Sequence, residues 1–146
     1  MEKKDLIKIL DEILVPIGLK KKGNNWVQNG DVISKIINLQ KSIHGNSYYI
    51  NYGFIINKLK LTTTTHIENR LAANNTDEQK RITNLLDFDN DITLEVRITE
   101  IKNLIIDKIV SKILAINKEE DLLNELQKRP HLNDIPLVVK KHFNLL

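Results

Sequence analysis

The chain has 146 residues, a net charge of +3 and no cysteine. A chain of that length makes one domain and buries about 70% of its unfolded surface, so neither metal nor disulfide is needed to hold it. The missing thiols exclude disulfide scaffolds, cysteine nucleophiles and cysteine-ligated zinc. No run approaches the roughly 18 apolar residues of a membrane span. The opening MEKKDLIKILDEILVPIGL interrupts its apolar residues with charges, unlike a secretory signal. A soluble, cytoplasmic protein with no membrane partner is expected. Charge is uneven: residues 1–60 hold ten lysines and five acids, the remainder twelve basic residues and fourteen acids. A basic front half suits phosphates or acidic surfaces. Solvated lysines, over-used here along with Ile and Asn, are the plainer account.

In chain order, Leu6, Leu10, Ile13, Leu14 and Ile17 recur at helical spacing and predict a first helix over 4–15, ended by Pro16 and Gly18. Residues 20–25 read as a loop and Trp26–Gln28 as a short strand, followed by an Asn29-Gly30-Asp31 hairpin turn. Val32–Lys41 and Tyr48–Ile56 are β-branched and aromatic runs joined across Ser42–Asn46, where Gly45 supplies the turn. Alternation places Ile33, Ile37 and Leu39 on one face, with Tyr48, Ile50, Tyr52 and Phe54 sharing a face of the second strand. Ser34, Asn38 and Gln40 then lie opposite, as do Tyr49, Asn51 and Gly53. The ribbon is greasy on one side and amide-lined on the other.

Leu59–Thr65 reads as a fourth strand, whose uncovered edge offers a route to a homo-oligomer. Thr76 and Gln79 have capping-box spacing at the start of a helix reaching about Leu86. The acidic Asp87–Asp91 lacks the glycine and glutamate of a known calcium loop and is expected to cap the next helix. Leu94, Ile98, Ile101, Ile105, Ile109, Ile113 and Ile116 predict a long helix over 93–116, with its first turn the least secure boundary. A further helix follows over Lys118–Lys128, stopped by Arg129-Pro130, and a short one begins at Pro136. The whole is one α+β domain, 1–146: an antiparallel meander of three to five strands packed against the N-terminal helix and the C-terminal helices.

Asn38-Leu39-Gln40-Lys41-Ser42, Tyr49-Ile50-Asn51-Tyr52-Gly53 and His66 with Arg70-Leu71 carry a resemblance. With LLDFDNDI after them, the chain resembles the bacterial family of the domain of unknown function 4304, from about Leu6 to Leu146. Members of that family often carry a second His or Cys before the His-Ile pair; Thr64 and Thr65 stand there in this chain. The resemblance implies one α+β domain and no particular activity.

The amide face is the candidate binding site: Asn38, Gln40, Tyr49 and Asn51 on adjacent strands, with Ser42, His66 and Arg70 at the rim. Such a cluster hydrogen-bonds in many directions, as recognition of a peptide or of base edges requires; mutual satisfaction that fixes strand register is the structural alternative. Catalysis has less support. The histidines His44, His66, His131 and His142 are scattered, with no metal-binding spacing, nucleophile elbow or phosphate-cradling loop, so no catalytic residue, metal or cofactor is expected. A hydrolase using His66 is the weakest reading. The favoured expectation is a non-catalytic module that binds a protein partner, such as an immunity protein neutralising a toxin. The alternative is nucleic-acid binding through the basic front half, with Trp26, Tyr48, Tyr49 and Tyr52 beside the lysines.

Overall fold

Helix α1 (Lys3–Leu14) opens the computed structural model, which describes all residues, 1–146. Asp5 caps it, its carboxylate accepting the Glu2 N–H at 2.8 Å. Leu6, Ile9, Leu10 and Leu14 are buried, whereas Ile13 and Ile17 are only half-buried. Five antiparallel strands then follow in spatial order: β1 (Lys20–Lys22), β2 (Asn25–Gln28), β3 (Ile33–Lys41), β4 (Tyr48–Ile56) and β5 (Ile67–Arg70). The β3–β4 pairing sets Leu39 opposite Ile50 and Ile37 opposite Tyr52. Ile37, Ile50 and Trp26 are all 0% exposed and share one core with Leu6, Leu10, Leu14 and the isoleucines of the long helix. The Trp26 indole N–H donates to Asp11 at 2.8 Å, tying β2 to α1.

The sheet departs from expectation at both margins. Residues 20–22, expected in a loop, form edge strand β1. The Gly23-Asn24 pair makes a two-residue hairpin, with Gly23 at φ +62° in the left-handed region that its first position demands. At the far side, 59–65 is not a strand; β5 lies at 67–70 instead. The reason is His66. Its Nδ1 accepts the Ile56 N–H at 2.9 Å and its Nε2 lies 3.0 Å from the Lys60 carbonyl, so the ring occupies the place where a strand at 59–65 would have bonded to the end of β4. Homo-oligomerisation through 59–65 therefore loses its strand, and β1, three exposed lysines, guards the opposite edge against pairing.

The helical layer comprises α2 (Thr76–Leu85), α3 (Leu94–Leu104), a π-helical turn (Ile105–Val110), α4 (Ser111–Ala115), α5 (Glu119–Gln127) and α6 (Leu137–His142). Asn75, not Thr76, caps α2, accepting the Asp77 and Glu78 N–H groups at 2.8 and 3.1 Å. Gln79 instead takes the Ala73 N–H at 2.8 Å. From α3 to α4 the rod is unbroken, and Ile101, Ile105, Ile109 and Ile113 are all buried. Steps of four in an α-helix drift round the axis by about 40° each. The wider π turn, with one more residue in each hydrogen-bonded ring, winds that drift back.

The same four-residue step leads back to Arg97 rather than Leu94. Leu94 is 49% exposed, while Arg97 is 1% exposed. Its guanidinium donates to the carbonyls of Asn84 (3.1 Å), Leu85, Asp87 (3.1 Å) and Asn90 (2.8 Å). The acidic segment 87–91 is thus gathered round a buried cation instead of capping α3, whose N-cap is Thr93. Lys35, on the core face of β3, donates to the Ile113 carbonyl and to Asn117 at 2.8 Å, neutralising the C-terminal end of the rod. Burial pulls its pKa below the ordinary lysine value, opposed by nearby Asp121. No helix is long and apolar enough to cross a membrane.

Candidate functional site

The strand register puts a row of polar side chains straight across the sheet, on the face away from the core. Lys22 pairs with Asn25, Asn25 with Asn38, Asn38 with Asn51, and Asn51 with Arg70, one residue from each strand. The Leu39 N–H reaches the Asn24 carbonyl at 2.9 Å and the Leu71 N–H reaches that of Ile50 at 2.8 Å. Asn25–Asn38 and Asn51–Arg70 are therefore narrow pairs, where side chains approach most closely.

The amides are chained. Arg70 Nε donates to Asn51 Oδ1 at 3.0 Å, Asn51 Nδ2 to Asn38 Oδ1 at 3.2 Å, and Asn38 Nδ2 to Asn25 Oδ1 at 2.8 Å. Gln40 Oε1 accepts from Asn51 Nδ2 at 2.9 Å and from Arg70 Nη2 at 3.2 Å. The direction of the chain is dictated at one end. A guanidinium has no acceptor, so Asn51 must turn its oxygen to Arg70 and its nitrogen to Asn38 and Gln40. Asn38 then has only its own nitrogen left to offer Asn25. Arg70 also lies 3.9 Å from the Tyr49 ring centroid, a cation–π contact that holds the guanidinium in place.

Gln40 and Arg70 are exposed, Asn25, Asn38 and Tyr49 half-buried, and Asn51 is 6% exposed. Two hollows open beside the row. One, of about 180 Å³, is lined by Asn25, Asn38, Asn51, Gly53, Thr65 and Glu68. The other, of about 320 Å³, lies between the hairpin and α2 and is lined by Ser42, Tyr49, Arg70, Gln79 and Thr83. Gly53 is required where it stands, because a Cβ there would sit 2.6 Å from the Ile67 carbonyl and 2.8 Å from the Thr65 methyl.

Of the seven residues nominated from the sequence, Asn38, Gln40, Tyr49, Asn51 and Arg70 form this network. Ser42 lines the larger hollow, its hydroxyl accepting the His44 N–H at 3.0 Å. His66 stands apart, 3% exposed with both ring nitrogens engaged on backbone. Asn25 and Lys22 were not foreseen, since residues 20–25 read as a loop. The Gly23-Asn24 pair was the signal that identifies their hairpin.

The family model for a domain of unknown function, DUF4304, matches residues 10–115. The chain belongs to the DUF4304 family. That match takes in the whole sheet and the rod of the DUF4304 chain and stops before α5, short of the 6–146 expected from resemblance. No curated protein and no solved structure matches it.

The charges of the DUF4304 chain fall into two groups. Every salt bridge is made by residues outside the strands, among them Arg81–Glu100, Lys112–Glu125 and Arg129–Asp134. A hollow of about 260 Å³ on the helix side, between Tyr52, Glu125 and Arg129, is walled by such paired charges. Burial there, reinforced by Glu125, raises the Tyr52 phenol above its ordinary pKa. No group of three or more His, Asp or Glu residues is placed to hold a metal ion.

Proposed function

We propose that this DUF4304 chain is a non-catalytic binding module of the cytoplasm, which takes a protein partner on the open, amide-lined face of its sheet. The observation that carries the reading is the Arg70–Asn51–Asn38–Asn25 chain of hydrogen bonds: a row of pre-oriented polar groups held by the sheet, with Arg70 exposed and Asn38 and Asn25 half-buried. Side chains locked in one orientation bind with little further loss of entropy. His66, the residue on which the weaker hydrolase reading turned, is in keeping with this, because its nitrogens are occupied by backbone groups of the fold. A toxin neutralised by surface complementarity is one such partner, an analogy at the level of fold.

The test is co-expression of the tagged chain with the product of the adjacent gene, wild type against Asn38→Glu. Asn38 is half-buried at the middle of the face, so the larger anionic side chain changes the surface without entering the core. Co-purification is expected with the wild type and its loss with the variant. A partner retained by Asn38→Glu places binding elsewhere and overturns the proposal.

A further inference from the structure

We infer that the segment of the partner lying on this face is acidic. The inference rests on the binding reading above and adds the chemistry of what is bound. Two independent observations lead to it, and the first is the direction of the amide chain. Each oxygen in the network already accepts a bond: Asn25 Oδ1 from Asn38, Asn38 Oδ1 from Asn51, Asn51 Oδ1 from Arg70, and Gln40 Oε1 from both Asn51 and Arg70. What remains unused is richest in N–H, with a second lone pair on the oxygens of Asn25, Asn38 and Asn51 beside it. Asn25 Nδ2, Gln40 Nε2 and Arg70 Nη1 make no hydrogen bond within the chain, and Asn38 Nδ2 has a second hydrogen free. In a chain of amides each donor polarises the next, so the terminal Asn25 amide is strengthened as a donor. The face asks for acceptors.

The second observation is charge. Lys20 and Lys22 stand on the same face as Asn25, Asn38 and Gly53, and neither they nor Arg70 pair with any carboxylate. The one acid among them, Glu68, sits across from Gly53 and leaves the face two charges positive. All the salt bridges lie outside the strands, in the helices and loops, among them those of Arg81, Lys102, Lys108, Lys112 and Arg129, although Lys3, Lys8, Lys80, Lys118, Lys140 and Lys141 there are also unpaired. Unmatched cations beside oriented N–H groups are complementary to carboxylates.

A nucleic acid also carries anionic oxygens, but binding single strands relies on aromatic platforms. Those are spent here. Trp26 is 0% exposed, Tyr48 stacks on Phe88 with centroids 4.9 Å apart, and the Tyr49 ring is taken by Arg70. An acidic polypeptide uses the same donors and needs no platform.

The experiment is a two-dimensional NMR titration of the ¹⁵N-labelled full chain, at low salt, with three probes. They are a ten-residue peptide alternating Glu and Ser, its Gln–Ser counterpart, and a ten-nucleotide oligothymidylate. The Glu peptide is expected to shift the side-chain amides of Asn25 and Asn38 and the backbone of Lys20 and Lys22. Its affinity should fall at least about fivefold in the Lys20→Gln/Lys22→Gln variant and at raised salt. The near-isosteric Asn25→Asp, which exchanges the terminal donor for an acceptor, should abolish binding. Glu68→Gln should strengthen it, and Lys8→Gln on α1 should leave it unchanged. Equal shifts by the Gln peptide overturn the acidic assignment while leaving a binding face. Shifts confined to the helical layer overturn the binding reading itself. Tighter binding of the oligonucleotide on the same residues, or no binding of the Glu peptide at all, also overturns the inference.

Discussion

Replacing Asn51 by Leu tests whether the amide row stabilises the fold as a connected unit. Asn51 is 6% exposed and makes three side-chain bonds: to Asn38 Oδ1 at 3.2 Å, to Gln40 Oε1 at 2.9 Å and from Arg70 Nε at 3.0 Å. Two neutral bonds at about 1 kcal/mol and one charge-assisted bond at about 2 kcal/mol give a gross loss near 4 kcal/mol. Gln40 and Arg70 are exposed, so water recovers part of that, and leucine fills nearly the same volume. The expected net loss is about 2 kcal/mol, which lowers Tm by about 5–8 °C for a domain of this size. Urea unfolding should show the midpoint moving at unchanged m. Arg70→Met alone should lose about 1 kcal/mol, and the double variant about 1 kcal/mol less than the two losses added, because they share a bond. If Asn51→Leu lies within about 0.5 kcal/mol of wild type and the two changes add, the amides are neighbours and not a network.

Arg97→Leu should cost about 3 kcal/mol in urea unfolding, because the carbonyls of residues 84–90 lose their common donor; parity with wild type would show that the segment holds itself. Gly53→Ala should cost about 1–3 kcal/mol through the forced contacts with Ile67 and Thr65, and a neutral result would mean that β5 yields freely. For Lys35 the folded pKa is depressed by burial, so at alkaline pH the unfolded chain holds a proton that the folded chain has released. Its contribution to stability therefore rises with pH through the window below the ordinary lysine value, about 10.4. Thermal melts should show that rise in the wild type and its absence in Lys35→Met.

The central ribbon was legible because its two strands alternate faithfully: every residue expected beneath, from Ile33 to Phe54, does lie on the core side. The cluster of Asn38, Gln40, Tyr49 and Asn51 followed from that parity, and Arg70, expected only at the rim, joins it from β5. Lys35 and Arg97 were hidden for the opposite reason. Each is a cation on an apolar stripe, and only the backbone carbonyls folded round it explain why it is buried. Strand β5 was misplaced because a threonine run has strand propensity of its own, whereas the preference of Ile56 for the His66 ring is a tertiary fact. β1 escaped notice because three lysines carry no alternation to read.

The π turn at Ile105–Val110 behaves as a phase corrector for the molecule's longest rod. Loss of a single residue from α3, where the winding is already 3.6 per turn, would swing the downstream segment by about 100°. Ile113 would leave the interior, and its carbonyl would be carried away from the Lys35 ammonium that now receives it. Loss of one residue from the π turn, by contrast, would let it rewind to 3.6 per turn with the phase nearly kept, so the turn is where the rod can lose a residue without moving its end relative to the sheet.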